Sequence, residues 1–145
     1  MRNPLVISER EIEIKNSMGI IYCEIGQLEQ GIDHFEDALK LLTRIKHIKD
    51  YQIEIRLYYN LAKTYTSLEK WNDALVYCEK AIRQCIHHST LYSFGELYYQ
   101  QGECLLKIGD KSKGEQSLKK AISIFELIGN ESFANETRKL LNMSI

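Results

Sequence analysis

The sequence predicts an all-α fold: a right-handed superhelix of three elongated helical hairpins, closed by a C-terminal capping helix. Three observations predict it. Between Tyr58 and Ala81, residues Tyr58, Leu61, Ala62 and Tyr65, then Trp71, Ala74, Cys78 and Ala81, recur at helical spacing on either side of a turn at 67–70. The pattern returns 43 residues earlier, from Leu61 back to Met18, and 40 residues later, at Gln101. Pro4 is the only proline in 145 residues, so almost nothing interrupts a helical hydrogen-bond ladder.

The three copies keep their small residues in register. Met18-Gly19-x2-Tyr22 precedes Gly31-x3-Phe35-x2-Ala38, and Gln101-Gly102-x2-Leu105 precedes Gly114-x3-Leu118-x2-Ala121. The central copy, Tyr-x2-Leu-Ala-x2-Tyr followed by Ala-x3-Cys-x2-Ala, resembles the tetratricopeptide repeat, in which small residues let two helix backbones approach. One such hairpin cannot bury its apolar face alone, so aligned copies imply a stack. The periods exceed the usual ~34 residues, which implies longer helices or longer joints.

In chain order, Ser8-Glu9-Arg10-Glu11 fits a capping box that opens a first helix over about 9–25. On it, Ile14, Met18, Ile21 and Ile25 form the stripe expected to face the second helix. Ile12 and Ile20 form a second apolar line, which implies that something further packs on this end, either upstream chain or another copy. Gly26 ends the helix. The second is expected over about 28–47, with Ile32, Phe35, Leu39 and Leu42 inward. Asp50 is the expected cap of helix three (about 51–68), followed by helix four (about 71–86). Ser89 or Thr90 caps helix five (about 91–108), and Gly109-Asp110 breaks the chain before helix six. The single domain 1–145 thus divides into hairpins at about 9–47, 51–86 and 91–128. A capping helix at about 130–143 buries Phe133, Thr137, Leu140 and Leu141.

Composition narrows the function. Nineteen basic and 20 acidic residues, interspersed to a net charge of -1, leave no basic footprint for nucleic acid, so direct nucleic-acid contact is not expected. No apolar run reaches bilayer-spanning length and 1–9 lacks a secretory pattern, so a cytoplasmic protein without membrane association is expected. Cys23, Cys78, Cys85 and Cys104 lack C-x-x-C spacing and read as reduced, packed thiols.

No catalytic triad, phosphate-binding glycine loop or paired-histidine metal signature occurs. His87-His88 are adjacent and suit a helix C-terminus, where a cationic ring complements the dipole. No enzyme activity, metal or cofactor is expected.

Binding is the remaining function. In a stack of hairpins the first helix of each pair lines the concave face. The positions that face it are Glu13, Asn16, Ser17 and Ile20; Arg56, Tyr59, Asn60 and Lys63; and Glu96, Tyr99, Gln100 and Glu103. From these, a peptide-binding groove is expected at Asn16, Arg56, Tyr59, Asn60, Lys63, Glu96, Tyr99, Gln100 and Glu103. Amides match a peptide backbone, Arg56 or Lys63 suits a carboxylate, and tyrosines offer apolar faces. The occupant is a short peptide or a segment of a partner protein.

The runs Tyr58-Tyr-Asn-Leu-Ala-Lys-Thr-Tyr65 and Gly95-Glu-Leu-Tyr-Tyr-Gln-Gln-Gly-Glu-Cys-Leu-Leu-Lys107 resemble the C-terminal repeat domain of PlcR-like regulators, in the Rap, Rgg, NprR, PlcR and PrgX group of Gram-positive bacteria. The resemblance covers the chain from about Ser8 onward. It implies a cytoplasmic quorum-sensing receptor that binds a short signalling peptide in its concave groove and dimerises through its repeats. The family asparagine that holds the peptide backbone matches Asn60. The family's amino-terminal helix-turn-helix and further repeats have no counterpart in this sequence, so DNA binding is implied for the family and not for this chain alone. A general tetratricopeptide scaffold for protein–protein interaction is the alternative.

Overall fold

The computed structural model describes residues 7–144. They form seven helices: α1 (Glu9–Glu24), α2 (Leu28–Leu42), α3 (Gln52–Ser67), α4 (Trp71–His87), α5 (Phe94–Lys107), α6 (Lys111–Leu127) and α7 (Glu131–Ser144). Helices α1 and α2, α3 and α4, and α5 and α6 pair as antiparallel hairpins, and α7 closes the stack on α6 and α5. The first helices touch in succession, α1 to α3 to α5, whereas α2 and α4 stand apart with α3 between them. Two layers result, and the layer of first helices carries the candidate groove residues.

Helix ends follow local chemistry. Ser8 caps α1, its Oγ accepting from the Glu11 amide at 3.3 Å. The chain leaves α1, α5 and α6 through Gly26, Gly109 and Gly129, whose φ values of 85°, 93° and 76° lie where a side chain is costly. At each the next amide reaches back to close the turn: Gln27 to Tyr22, Asp110 to Leu105 and Asn130 to Phe125. Glu69 and Ser89 take the same left-handed position after α3 and α4.

The small residues hold the hairpins close. A β-carbon on Gly19 would sit 2.6 Å from Cδ1 of Phe35, and one on Gly31 would meet the Gly19 carbonyl at 2.9 Å. The largest core cluster joins hairpins one and two through Ile12, Phe35, Leu42, Ile53, Leu57 and Leu61. Ile55, Ile82 and Leu97 continue it toward hairpin three.

Four expectations are corrected. The stripe Ile14, Met18, Ile21 and Ile25 is exposed, at 50%, 39%, 56% and 63%. The contact with α2 is made from the other line, with Ile12, Asn16 and Gly19 buried and Ile20 packed against the core. With two apolar lines on one helix, the line that meets a glycine-backed neighbour is buried, because only it lets the backbones approach.

Second, α2 ends at Leu42 and not near His47, so the extra length of the repeat lies in the joint 43–51. That joint is tied to α1, where the Glu9 carboxylate accepts from the Lys49 and Asp50 amides at 3.2 and 2.9 Å. Asp50 in turn accepts from the Gln52 amide at 3.0 Å, but the residue at the N-cap of α3 is Tyr51, which makes no side-chain cap bond.

Third, α5 starts at Phe94 and not Leu91, after Ser93 in a left-handed conformation. Thr90 accepts from the Tyr92 amide inside the joint and does not cap the helix. Fourth, on α7 only Thr137 of the expected buried side is buried, with Ala134, whereas Leu140 and Leu141 are half-buried and Phe133 is 45% exposed and stacks on Phe125 at 5.4 Å.

Candidate functional site

Asn16, Arg56, Tyr59, Asn60, Lys63, Glu96, Tyr99, Gln100 and Glu103 all lie on α1, α3 and α5, the three helices that touch in succession. Periodicity puts them there. Residues 56, 59, 60 and 63 fall on one side of α3, and Ile53, Leu57 and Leu61 turn into the core.

Polar contacts link neighbouring helices along this face. The Asn60 Nδ2 donates to Asn16 Oδ1 at 2.8 Å, tying α3 to α1. Arg56 pairs with Glu13 of α1 at 3.5 Å and donates through Nε to the Tyr92 hydroxyl at 3.2 Å, so one guanidinium links α3 to α1 and to the joint before α5. Gln100 donates to Thr66 Oγ1 at 2.6 Å, tying α5 to α3, and more weakly to Glu103 at 3.4 Å.

Two of the nine do not present their side chains to solvent. Asn16 is 6% exposed and Gln100 8% exposed, and each spends its amide between helices. They set the spacing of the face. Tyr59, Asn60, Glu96, Tyr99, Glu103 and Arg56 are half-buried, and Lys63 is exposed.

A cleft of about 360 Å³ opens where α1, α2 and α3 meet. Ile20, Cys23, Leu28 and Phe35 give it an apolar lining, and Asn60 and Lys63 are at its edge. Its further polar members are Glu24, Thr64 and Ser67, one turn beyond Ile20, Asn60 and Lys63. The groove positions read from the sequence do not include Leu28, Phe35, Cys23, Glu24, Thr64 and Ser67. Extending each predicted position by four residues finds the last three, since i and i+4 share a helix face. Thr64 is held by donating to the Asn60 carbonyl at 2.7 Å, and the Cys23 thiol lies 3.5 Å from its hydroxyl.

The electrostatics divide the face. Arg56 and Lys63 lie on α3, and Glu96 and Glu103 on α5. Burial first, then Glu96, raises the Tyr59 pKa; burial first, then Glu103 and Glu136, raises that of Tyr99. The Glu103 carboxyl is also raised by burial, with Lys107 opposing. The four cysteines are free thiols, and burial is the largest cause of the raised pKa at Cys78, Cys85 and Cys104, that of Cys85 reaching about 11. Such thiols are poor nucleophiles at neutral pH.

The profile of the RNPP family C-terminal domain matches residues 3–139. No curated protein sequence matches the chain significantly. Among solved structures, PlcR of Bacillus thuringiensis in complex with the peptide PapR7 and DNA is similar at 28% identity and a TM-score of 0.83, over 91% of this chain and 47% of that one. The apo form of PlcR is similar at 27% identity and a TM-score of 0.85, over 96% of this chain and 50% of that one. PcrH of Pseudomonas aeruginosa shares the fold at 17% identity and a TM-score of 0.76, over 96% and 95% of the two chains. The chain spans about half the length of the PlcR it matches.

Proposed function

Because the chain belongs to the RNPP family, as its C-terminal domain, we propose that it is the peptide-sensing module of a bacterial quorum-sensing transcriptional regulator. It works in the cytoplasm as one domain, by binding and not by chemistry. A short signalling peptide lies extended across α1, α3 and α5. Asn60 and the tyrosines Tyr59 and Tyr99 meet its backbone and apolar side chains, Lys63 and Arg56 its carboxylates, and Glu96 and Glu103 its cationic groups. Asn16 and Gln100 hold the helices at the required spacing.

The observation that carries this reading is the cleft between α1 and α3, with its apolar lining and with Asn60 and Lys63 at its edge. PlcR, similar over most of this chain, has been solved with the peptide PapR7. A peptide bridging first helices would favour one curvature of the stack and so shift a pre-existing equilibrium. DNA contact is not proposed for this chain, whose net charge is -1.

Calorimetric titration with a panel of short apolar peptides, PapR7 among them, tests the reading. Saturable binding by one of them, weakened by Lys63→Ala, is the expected result. A protein that ignores the whole panel is a general scaffold, the rival that the same fold permits.

The exposed stripe on α1 supports the dimer. Ile14, Met18, Ile21 and Ile25 are spaced four, three and four residues apart. Such a row is symmetric about its centre and self-complementary in antiparallel pairing, Ile14 against the partner's Ile25 and Met18 against the partner's Ile21. Sedimentation at several concentrations tests this pairing. A species that stays monomeric, or a dimer unaffected by Ile21→Glu, removes it.

A further inference from the structure

A second cleft, of about 480 Å³, opens on the outer face, where α2 and α4 stand apart over α3. Leu39, Leu42, Ile45, Ile48, Tyr58 and Tyr77 give it an apolar lining, with Ile48 37% exposed at the rim. It is separate from the concave groove, since Tyr58 and Asn60 are two residues apart on α3 and so point about 200° apart.

Cations outnumber anions around this cleft, whose lining holds the one carboxylate Glu54. Lys40 and Lys80 line it, and Lys80 Nζ sits over two rings, 5.9 Å from the centre of Tyr58 and 5.4 Å from that of Tyr77. The joint that forms one wall adds Arg44, Lys46 and Lys49, and no acidic residue occurs between Asp37 and Asp50. None of these five cations forms an ion pair among the described residues. The nearby carboxylates keep their charge while accepting hydrogen bonds, Glu54 from the Tyr58 hydroxyl at 3.2 Å, Glu36 from Tyr65 at 3.2 Å and Glu9 from the joint amides, and Glu36 and Asp73 add to the burial that raises the Tyr77 pKa. A chain of net charge -1 has thus placed two lysines against one carboxylate in an apolar, aromatic hollow, with three further cations on the joint beside it.

We propose that this outer cleft is a docking site for an acidic amphipathic segment of a partner protein. One bulky apolar side chain packs over the adjoining Tyr58 and Tyr77 rings beside Ile48, and flanking carboxylates reach Lys40 and Lys80. Aromatic walls supply contact area at little entropic cost, and the cations select the sign of the partner. The site is independent of the groove across α1, α3 and α5, so occupant and signalling peptide can bind together.

Fluorescence anisotropy of a labelled synthetic peptide, Phe and Leu flanked by Glu, tests the proposal against the same peptide with Lys in place of Glu. The acidic peptide is expected to bind, more weakly as salt rises, with affinity reduced about tenfold by Lys40→Glu with Lys80→Glu and unchanged by Lys63→Ala. Lys40→Glu alone, which leaves the ring contacts of Lys80 in place, is expected to weaken binding in the same direction, with circular dichroism reporting the fold. Equal binding of the two peptides, no binding of either, or loss on Lys63→Ala overturns the proposal. So does binding to phosphatidylserine vesicles in place of the peptide, which would make the surface a membrane contact.

Discussion

The Asn60 Nδ2 donates to Asn16 Oδ1 across 2.8 Å, and this one bond joins the first helices of two neighbouring hairpins. Asn16 is almost fully buried, so its acceptor has little access to water if Asn60 is removed. Asn60→Ala is therefore expected to lower unfolding free energy by about 1–3 kcal/mol, the usual penalty for an orphaned buried group. Asn16→Ala with Asn60→Ala should cost less than the sum of the single changes. Urea denaturation of the cycle measures this, and strict additivity would show that the bond contributes nothing. A peptide-binding role for Asn60 is then better read beside Lys63→Ala, because Lys63 is exposed.

Gly19 lies under the ring of Phe35, with no room for a β-carbon. Gly19→Ala gains helix propensity but forces the ring aside, and the net expected cost is about 1–3 kcal/mol. At the equivalent places in hairpin two stand Ala62 and Cys78, both fully buried, a larger residue facing a smaller one. Gly19→Ala combined with Phe35→Cys should accordingly lose less than the two changes added together. Thermal melts of all four proteins decide it.

Glu69, at φ 58°, occupies the left-handed position that Gly26, Gly109 and Gly129 fill after α1, α5 and α6. The strain of about 1–2 kcal/mol for a non-glycine residue exceeds the entropic cost of glycine, so Glu69→Gly should stabilise by about 0.5–1 kcal/mol. A midpoint of chemical denaturation that does not rise would contradict this.

Burial first, then Glu54 for Tyr58 and Glu36 for Tyr65, pushes both phenols up to about 12 from the ordinary 10. Between those values the unfolded chain releases these protons and the folded chain keeps them. The associated stability is complete below pH 10, falls as pH rises from 10, and is gone above 12. Ultraviolet titration should show Tyr58 and Tyr65 ionising late in the folded protein, with Tyr59, Tyr77, Tyr98 and Tyr99 also raised by burial, and unfolding should become easier across the same interval. A single midpoint near 10 for all tyrosines would refute it.

The number of helices and most of their turns were legible because glycine after a helix, and small residues where two helices meet, are local requirements of backbone geometry. The three groups of candidate groove residues were legible for the same reason: residues 56, 59, 60 and 63 share a face on any helix. Burial of Asn16 and Gln100 was not, since it depends on how near the next first helix stands. The extra residues of the first repeat also left open whether α2 lengthened or the joint did. Glu9 binding the amides of Lys49 and Asp50 is the long-range tie that holds the joint onto α1.

By itself, the sequence determined a row of helical hairpins, since the recurrence of Gly19, Ala62 and Gly102 against Gly31, Ala74 and Gly114 permits close backbone approach only in that arrangement. Tertiary structure alone decided which of two apolar lines on α1 was buried and which was left open. It also decided that α2 and α4 stand apart over the tyrosines. Periodicity fixes which residues share a face of a helix, and only the neighbouring helices fix which face meets protein and which meets water.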